Sequence, residues 1–392
     1  MKFVFVESSR RAWGSEQHFI NLAVGCHAAG HEVVAVVKRD SDVARLLVEG
    51  GVKVIETPFR GGADPRAMLA TYRAIKRLRA DWVITDHQKH YWALYFLARM
   101  TGTRVALFRH MAYVRGWLTR VLLPRLVDRF FVVSDFALHA LAEAGAPETR
   151  LSKLYNPIDL QRFKPDPQQA AATRTALNLP NNAYLLGFIG RHEWGKGVDV
   201  LREALSLAMA QDPNLHAVWV GAGPLWSTTE QAIVKGDYAD RHRMIDWTDK
   251  PEHYLMALDC LVVPSQQVET FGRIAAEAQA CCVPLIASRI GGLAEAFEPD
   301  RSGLAYEGNC PAQLAKLILS IRHDESRRQW MGKLGRDFVK QFDTPYIVRL
   351  FEQALNDTGR PIARRRPATA QINFAEAKQL LVEAKSEAGV AG

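Results

Sequence analysis

The sequence predicts an α/β protein built from two Rossmann-like, doubly wound parallel-sheet domains, and three observations carry that expectation. Apolar runs of strand length alternate with helical patterns along most of the chain. The alternation lapses once, in a polar stretch broken by prolines. A length of 392 residues is too great for one compact core and suits two.

The first run, KFVFVE, meets an acid after few apolar residues and reads as a strand, not a signal peptide. A helical stretch from Glu16 to about Gly30 follows, then EVVAVV (32–37), KVIET, WVITD (82–86), RVALF (104–108) and RFFVVS (129–134). This is the βαβ rhythm of one domain, residues 1–165. Four prolines interrupt the polar stretch 156–182, and the linker is expected at 166–182. The rhythm resumes with YLLGFIG (184–190), a helix over 197–210, HAVWVG (216–221), RMIDW (243–247), DCLVVPS (259–265), VPLIAS (283–288) and a helix from Pro311 to about Arg322. That second domain spans 183–342. A C-terminal helix (343–359) and a basic, proline-flanked connector with a helical tail (360–392) complete the expectation.

Composition is that of a soluble protein, 48% hydrophobic and 23% charged. No stretch approaches the ~18 uninterrupted apolar residues a bilayer span requires. The five cysteines lack CxxC spacing, which fits reduced thiols in the cytoplasm. The net charge of +8 is uneven: roughly 25 basic and 15 acidic side chains fall in the first domain, about +10, leaving the rest near −2. Part of the excess lies in 113–131, where Arg115, Arg120, Arg125 and Arg129 recur among Trp117, Leu118, Val121, Leu122 and Leu126. On a helix this sets a basic flank beside an apolar stripe. Two readings stand: a helix packed on its own domain with its arginines in water, or one that meets anionic lipid or an acidic lipid-linked molecule.

Several short segments carry chemistry. GRHEWGKG (190–197) lies between a strand and a helix and nearly matches a triphosphate-binding loop, but Gly197 stands where that loop needs Ser or Thr for magnesium. What remains is Arg191 at a strand's carboxyl end and Lys196 at the next helix's start, where parallel sheets bind ligands. Each contributes a gross attraction of about 4 kcal/mol to a phosphate charge at about 4 Å in an effective dielectric near 20. Two exposed surface cations are the plainer reading. VGAGPLW, with Gly221, begins like a dinucleotide fingerprint but holds Pro224 and Trp226 within it, so it serves equally as a strand–helix turn. Gly14 and Ser15 precede a helix whose amides suit a phosphate, or form a plain cap. His87, His90 and His110 stand at or beyond strand ends without a Cys or carboxylate at metal-ligand spacing, and a structural role is the first reading for each. In VETFGRIAAEAQACCVPLIASRIGG (268–292), Glu269 and Glu277 sit in a mostly small, apolar segment where each acid needs a partner.

Taken together, the Gly-Ser-Glu loop (14–16), Arg109-His110, VSDFALHALAEAGAP, YNPIDLQRFKP, GRHEWGKG, VGAGP and the Glu-x7-Glu segment resemble family 4 of the GT-B glycosyltransferases, over nearly the whole chain to about residue 358. The resemblance implies two such domains facing a central cleft and sugar transfer from a nucleoside-diphosphate sugar with retention of configuration. It implies that Glu269 serves the reacting sugar and that Phe271, Gly272, Arg273 and Ile274 present a helix start to sugar and diphosphate. Glu277 would take the ribose hydroxyls, Arg191 and Lys196 the diphosphate, with Gly14 and Gly221 also on the donor. His110 would sit near the sugar. It further implies no cofactor and no metal, with the nucleotide-sugar as co-substrate. The expected acceptor is a saccharide or lipid-linked saccharide of the cell envelope, such as lipopolysaccharide. An anionic membrane surface is a further candidate partner, on the inner face of the cytoplasmic membrane, and nucleic acid is not expected. The alternatives are a nucleotide-sugar epimerase of the same architecture and a catalytically silent binding subunit.

Overall fold

Runs such as KFVFVE and EVVAVV are apolar at nearly every position, the mark of strands covered on both faces, and each becomes a buried strand of a parallel sheet. The computed structural model describes residues 1–114 and 116–357; Arg115 and the expected connector and tail, 360–392, lie outside the described residues. Internal packing divides the described residues into two units, one comprising Met1–Asp159 with residues 342–357, the other Leu160–Gln341.

In the first unit the order is β1 (Lys2–Glu7), α1 (Gly14–Ala28), β2 (Glu32–Lys38), α2 (Asp42–Glu49), β3 (Lys53–Thr57), α3 (Pro65–Leu78), β4 (Trp82–Thr85), α4 (Tyr91–Thr101), β5 (Arg104–Arg109), α5 (Leu123–Leu126), β6 (Arg129–Val132), α6 (Asp135–Glu143) and β7 (Leu151–Lys153). The strands lie in the order β3-β2-β1-β4-β5-β6-β7, all parallel. Strand order therefore reverses between β1 and β4. The stretch 113–131 is not one amphipathic helix: a π-helical turn over Leu118–Leu122 leads into the four-residue α5. Pro124 accounts for the break, since it offers no amide and its ring crowds the carbonyl four residues back.

The second unit runs α7 (Pro167–Ala176), β8 (Tyr184–Ile189), α8 (Val198–Met209), β9 (Leu215–Val220), α9 (Trp226–Val234), β10 (His242–Ile245), α10 (Pro251–Ala257), β11 (Cys260–Val263), α11 (Arg273–Ala280), β12 (Leu285–Ser288), β13 (Gly303–Tyr306), α12 (Pro311–Arg322) and α13 (Glu325–Phe338). Its sheet is β10-β9-β8-β11-β12-β13, again parallel, with the reversal between β8 and β11. Residues 166–182, expected as a linker, hold α7. Asp166 caps that helix by accepting from the Gln168 and Gln169 amides, and Arg174 pairs with Asp259 at 2.6 Å, tying α7 to the start of β11.

The last described helix, α14 (Thr344–Asn356), belongs to the first unit. Its apolar side (Ile347, Val348, Phe351) is buried with Phe3, Phe108 and Phe131 on one face of that sheet, Phe351 lying 5.4 Å from the Phe131 ring. Gly25 permits the approach: a Cβ there would meet Thr344 Cγ2 at 2.6 Å. Arg129 Nε donates to the Ala354 carbonyl at 2.6 Å, and His31 Nε2 meets Glu352 Oε1 at 2.5 Å.

Two predictions arise from this packing. Phe351→Ala empties a fully buried site and is expected to cost about 3–5 kcal/mol, read as a lower urea midpoint for the first unit. In the second unit, His192 is enclosed by Phe188, Trp219 and Trp226, and neither ring nitrogen has a hydrogen-bond partner among the described residues. Burial pushes its pKa down to about 4 from an ordinary 6.5. The unfolded chain thus binds this proton first, so the stability from neutral His192 is full above pH 6.5 and declines as pH falls toward 4. Amide protection of β8 and β9 should drop across that window, and His192→Leu should flatten the drop; an unchanged slope would remove His192 from the account.

Candidate active site

In the second unit, the reversal of strand order sets the carboxyl ends of β8 and β11 side by side, and the loops that leave them are laced together. Gly195 O accepts from the amides of Gln266 and Gln267 at 3.0 and 3.1 Å. Gly197, which opens α8 at φ +65°, lies so close that a Cβ would stand 2.0 Å from the Pro264 carbonyl oxygen. On this frame Lys196 Nζ reaches Glu269 Oε1 at 3.0 Å, and Ser265 Oγ donates to the same oxygen. The Glu269 carbonyl is itself held by the Gly292 amide at 2.7 Å.

Glu277 lies within the first turn and a half of α11 and is ion-paired with Arg273 one turn earlier; their side chains are 7% and 12% exposed. Both acids, expected to find their partners in a ligand, have protein partners. Gly272 caps α11 in the left-handed conformation, and Phe271 before it is buried, so Arg273 and Ile274 are the residues whose amides open the helix. Arg191 is exposed and pairs with Glu193 at 3.2 Å. Gly221 (φ +148°) brings the loop after β9 against this corner; a Cβ would fall 1.9 Å from the Gly190 carbonyl oxygen. No sequence pattern points to Ser265, whose contact with Glu269 depends on loop packing, or to the Arg273 side chain, whose pairing with Glu277 follows from their shared helix.

In the first unit the carboxyl ends of β1, β4 and β5 gather Glu7, Asp86 and His110. His110 Nε2 is 3.4 Å from Asp86 Oδ2, and His18 from α1 approaches the same oxygen at 4.0 Å, its ring edge-on to His110 at 4.6 Å between centroids. Burial, then the neighbouring Asp86 charge, pushes Glu7 up to about 8; burial pushes Asp86 up to about 7. The Glu7 carboxylate accepts from the Ser8 and Ser9 amides at 2.6 and 2.8 Å. His90 is buried, with Gly62 O at 2.8 Å and Ser8 Oγ at 2.7 Å, while His87 lies partly exposed beside it, 5.6 Å between ring centroids. Gly14 opens α1 and is exposed, with nothing within 4 Å of a Cβ. Spacing along the chain hides Asp86 and His18 as companions of His110, because three separate elements deliver them.

Residues 13–162 match the family described as Glycosyltransferase Family 4, and residues 170–338 match Glycosyl transferases group 1. A D-inositol 3-phosphate glycosyltransferase of Saccharomonospora viridis is 38% identical over 244 residues, 58% of this chain and 56% of that protein. Its namesake from Thermomonospora curvata is 34% identical over 200 residues, 47% of this chain and 46% of that protein. The chain thus spans about half the length of the curated relatives it matches. Among solved structures, Anabaena HepE in complex with UDP-glucose superposes with a TM-score of 0.80 at 19% identity, covering 91% of this chain and 99% of that one. The lipopolysaccharide outer core galactosyltransferase WaaB superposes at 0.65 and 14% identity, over 91% and 99% of the two chains. With family matches across both units and the GT-B fold shared with these structures, the chain belongs to family 4 of the GT-B glycosyltransferases.

Proposed function

We propose that the protein is a retaining, metal-independent glycosyltransferase that moves a sugar from a nucleoside-diphosphate sugar to a saccharide or lipid-linked saccharide acceptor of the cell envelope. The observation that carries this reading is the Lys196–Glu269–Ser265 cluster beside the start of α11, at the strand reversal where open parallel sheets bind nucleotides. Transfer breaks the bond between the anomeric carbon and a diphosphate oxygen and forms one to an acceptor hydroxyl oxygen; the hydroxyl proton leaves with the diphosphate. Negative charge grows on the diphosphate as its bond breaks, and Lys196, Arg191 and the α11 amides of Arg273 and Ile274 are the fixed positive groups for it. Glu269, held by Ser265, accepts from sugar hydroxyls. Glu277 uses Oε1 for Arg273 and has Oε2 for the ribose hydroxyls. The family resemblance assigns His110 to the transfer step.

Uridine diphosphate sugars are the first donors to test, since HepE was solved with UDP-glucose. For the acceptor, an inositol phosphate is a second reading, favoured by the names of the curated relatives. The envelope reading draws on an exposed apolar group in the first unit: Phe96 and Met100 on α4, and Tyr113, Trp117 and Leu118 after β5. Trp92 Nε1 donates to Thr119 Oγ1 at 2.9 Å, which joins these two segments, and Arg99 on α4 and Arg125 on α5 are exposed basic side chains of the same stretches of chain. Among the described residues no helix is long and apolar enough to cross a membrane, so the proposal is of peripheral contact from the cytoplasmic side.

Calorimetry with UDP, GDP and ADP should show one tight ligand whose affinity EDTA does not change. Lys196→Ala should weaken it about tenfold or more, whereas Glu269→Gln should leave nucleotide affinity nearly intact and slow transfer by about 100-fold. No binding by any of the three, or full transfer by Glu269→Gln, would overturn the site. The membrane part is read separately: the protein should cosediment with anionic vesicles, less so as salt rises and less so for Trp117→Ser. Equal binding to neutral and anionic vesicles at every salt concentration counts against it.

A further inference from the structure

We propose that His18, Asp86 and His110 form a binding site for a divalent transition-metal ion of the zinc class inside the first unit. One candidate ligand atom from each lies within 4.8 Å of the others. His110 Nε2 and His18 Nδ1 stand 3.4 and 4.0 Å from Asp86 Oδ2. Ligand atoms on a tetrahedral ion with bonds of ~2.1 Å are roughly 3.4 Å apart; the His110–Asp86 pair already has that spacing, and side-chain rotations that bring the widest pair, within 4.8 Å, closer by up to about 1.4 Å close the set.

The donor types choose the ion. Two imidazole nitrogens and one carboxylate oxygen favour zinc, cobalt or iron, whereas magnesium and calcium want oxygen. The placement is equally defined. Asp86 and His110 directly follow β4 and β5, which are neighbours in the sheet, and His18 is on the second turn of α1. Phe108 lies against the His18 ring at 4.7 Å between centroids and fixes its plane. His18 and Asp86 side chains are 1% and 3% exposed, and His110 is 13% exposed. The protein therefore closes three sides of a tetrahedron and leaves its fourth position on the His110 side for water or a ligand oxygen. Nothing in the donor cluster of the second unit takes part in this set. Its bearing on transfer rests on the reading above: an ion that engages the His110 ring withdraws that ring from the sugar, so zinc would act as an inhibitor.

The test uses the full chain stripped with EDTA and desalted, titrated calorimetrically with zinc chloride and, in parallel, with cobalt chloride while visible absorption is recorded. The expected result is one tight zinc per chain and the d–d bands of a four-coordinate cobalt site. Asp86→Asn and His18→Ala should each weaken zinc by tenfold or more, with unchanged far-ultraviolet circular dichroism. Cys310→Ser, which removes the exposed thiol, should leave affinity unchanged. His110→Gln, on the most exposed of the three ligands, gives a further variant should the buried ones unfold, and it too should weaken zinc tenfold. Zinc bound as tightly by Asp86→Asn and His110→Gln as by the parent chain overturns the proposal, as does loss of the site in Cys310→Ser. The same stripped samples titrated with UDP, GDP and ADP keep the donor reading apart, since that reading rests on the Lys196, Ser265 and Glu269 cluster, which shares no residue with the zinc set.

Discussion

A parallel sheet whose strand order reverses leaves two neighbouring strands with their following chains led to opposite faces, and the gap above their carboxyl ends cannot be filled by a connection. Both units of this protein contain that gap, between β1 and β4 and between β8 and β11. The ionisable clusters of each unit collect there: Glu7, Asp86 and His110 in the first, Lys196, Ser265 and Glu269 in the second. Sheet topology comes first and chemistry follows from it, because a gap of this kind exposes backbone amides and side chains that would otherwise be packed away.

Placing charge in such a gap requires compensation. A half-buried carboxylate such as Glu269 loses water on most sides and is stabilised only if donors take the place of that water. Lys196 and Ser265 do so on one oxygen, and Arg273 does so for Glu277. Pairs of this kind add little net stability against an apolar alternative, yet removing one member strands the other at a cost of several kcal/mol. Their value is geometric: the close backbone contact at Gly197 and the Gln266 and Gln267 amides on Gly195 O hold the two loops so that the charges meet without searching.

The strands were legible because nearly uninterrupted apolar runs such as EVVAVV and YLLGFIG suit only a doubly covered sheet. The Glu-x7-Glu spacing was legible as two acids in a mostly small, apolar segment, and Lys196 as a cation at a helix start just after a strand. What joins them was not. Lys196 and Glu269 are joined by tertiary packing across two loops, and His18, Asp86 and His110 come from three elements, so no local pattern announces either cluster. The 113–131 segment misled for a local reason, the single Pro124 within an otherwise helical period. In 166–182, four prolines near and within the stretch masked α7, whose Asp166-Pro167 start is a helix cap as much as a linker sign. The fate of α14 was hidden too, since its apolar stripe says that it packs and not where.

The return of α14 to the first unit also bears on synthesis. Among the described residues the second unit is one continuous piece of chain, Leu160–Gln341, whereas the first is split around it. Domains usually become complete on the ribosome in the order they are made. Here that order is inverted at the finish: the N-terminal sheet emerges early with Phe3, Phe108 and Phe131 still lacking Phe351, and it must wait for the 182 residues of Leu160–Gln341 before its last helix leaves the exit tunnel. A nascent chain of this protein therefore carries an open aromatic face through most of its translation, which is a surface for chaperones that hold newly made chains.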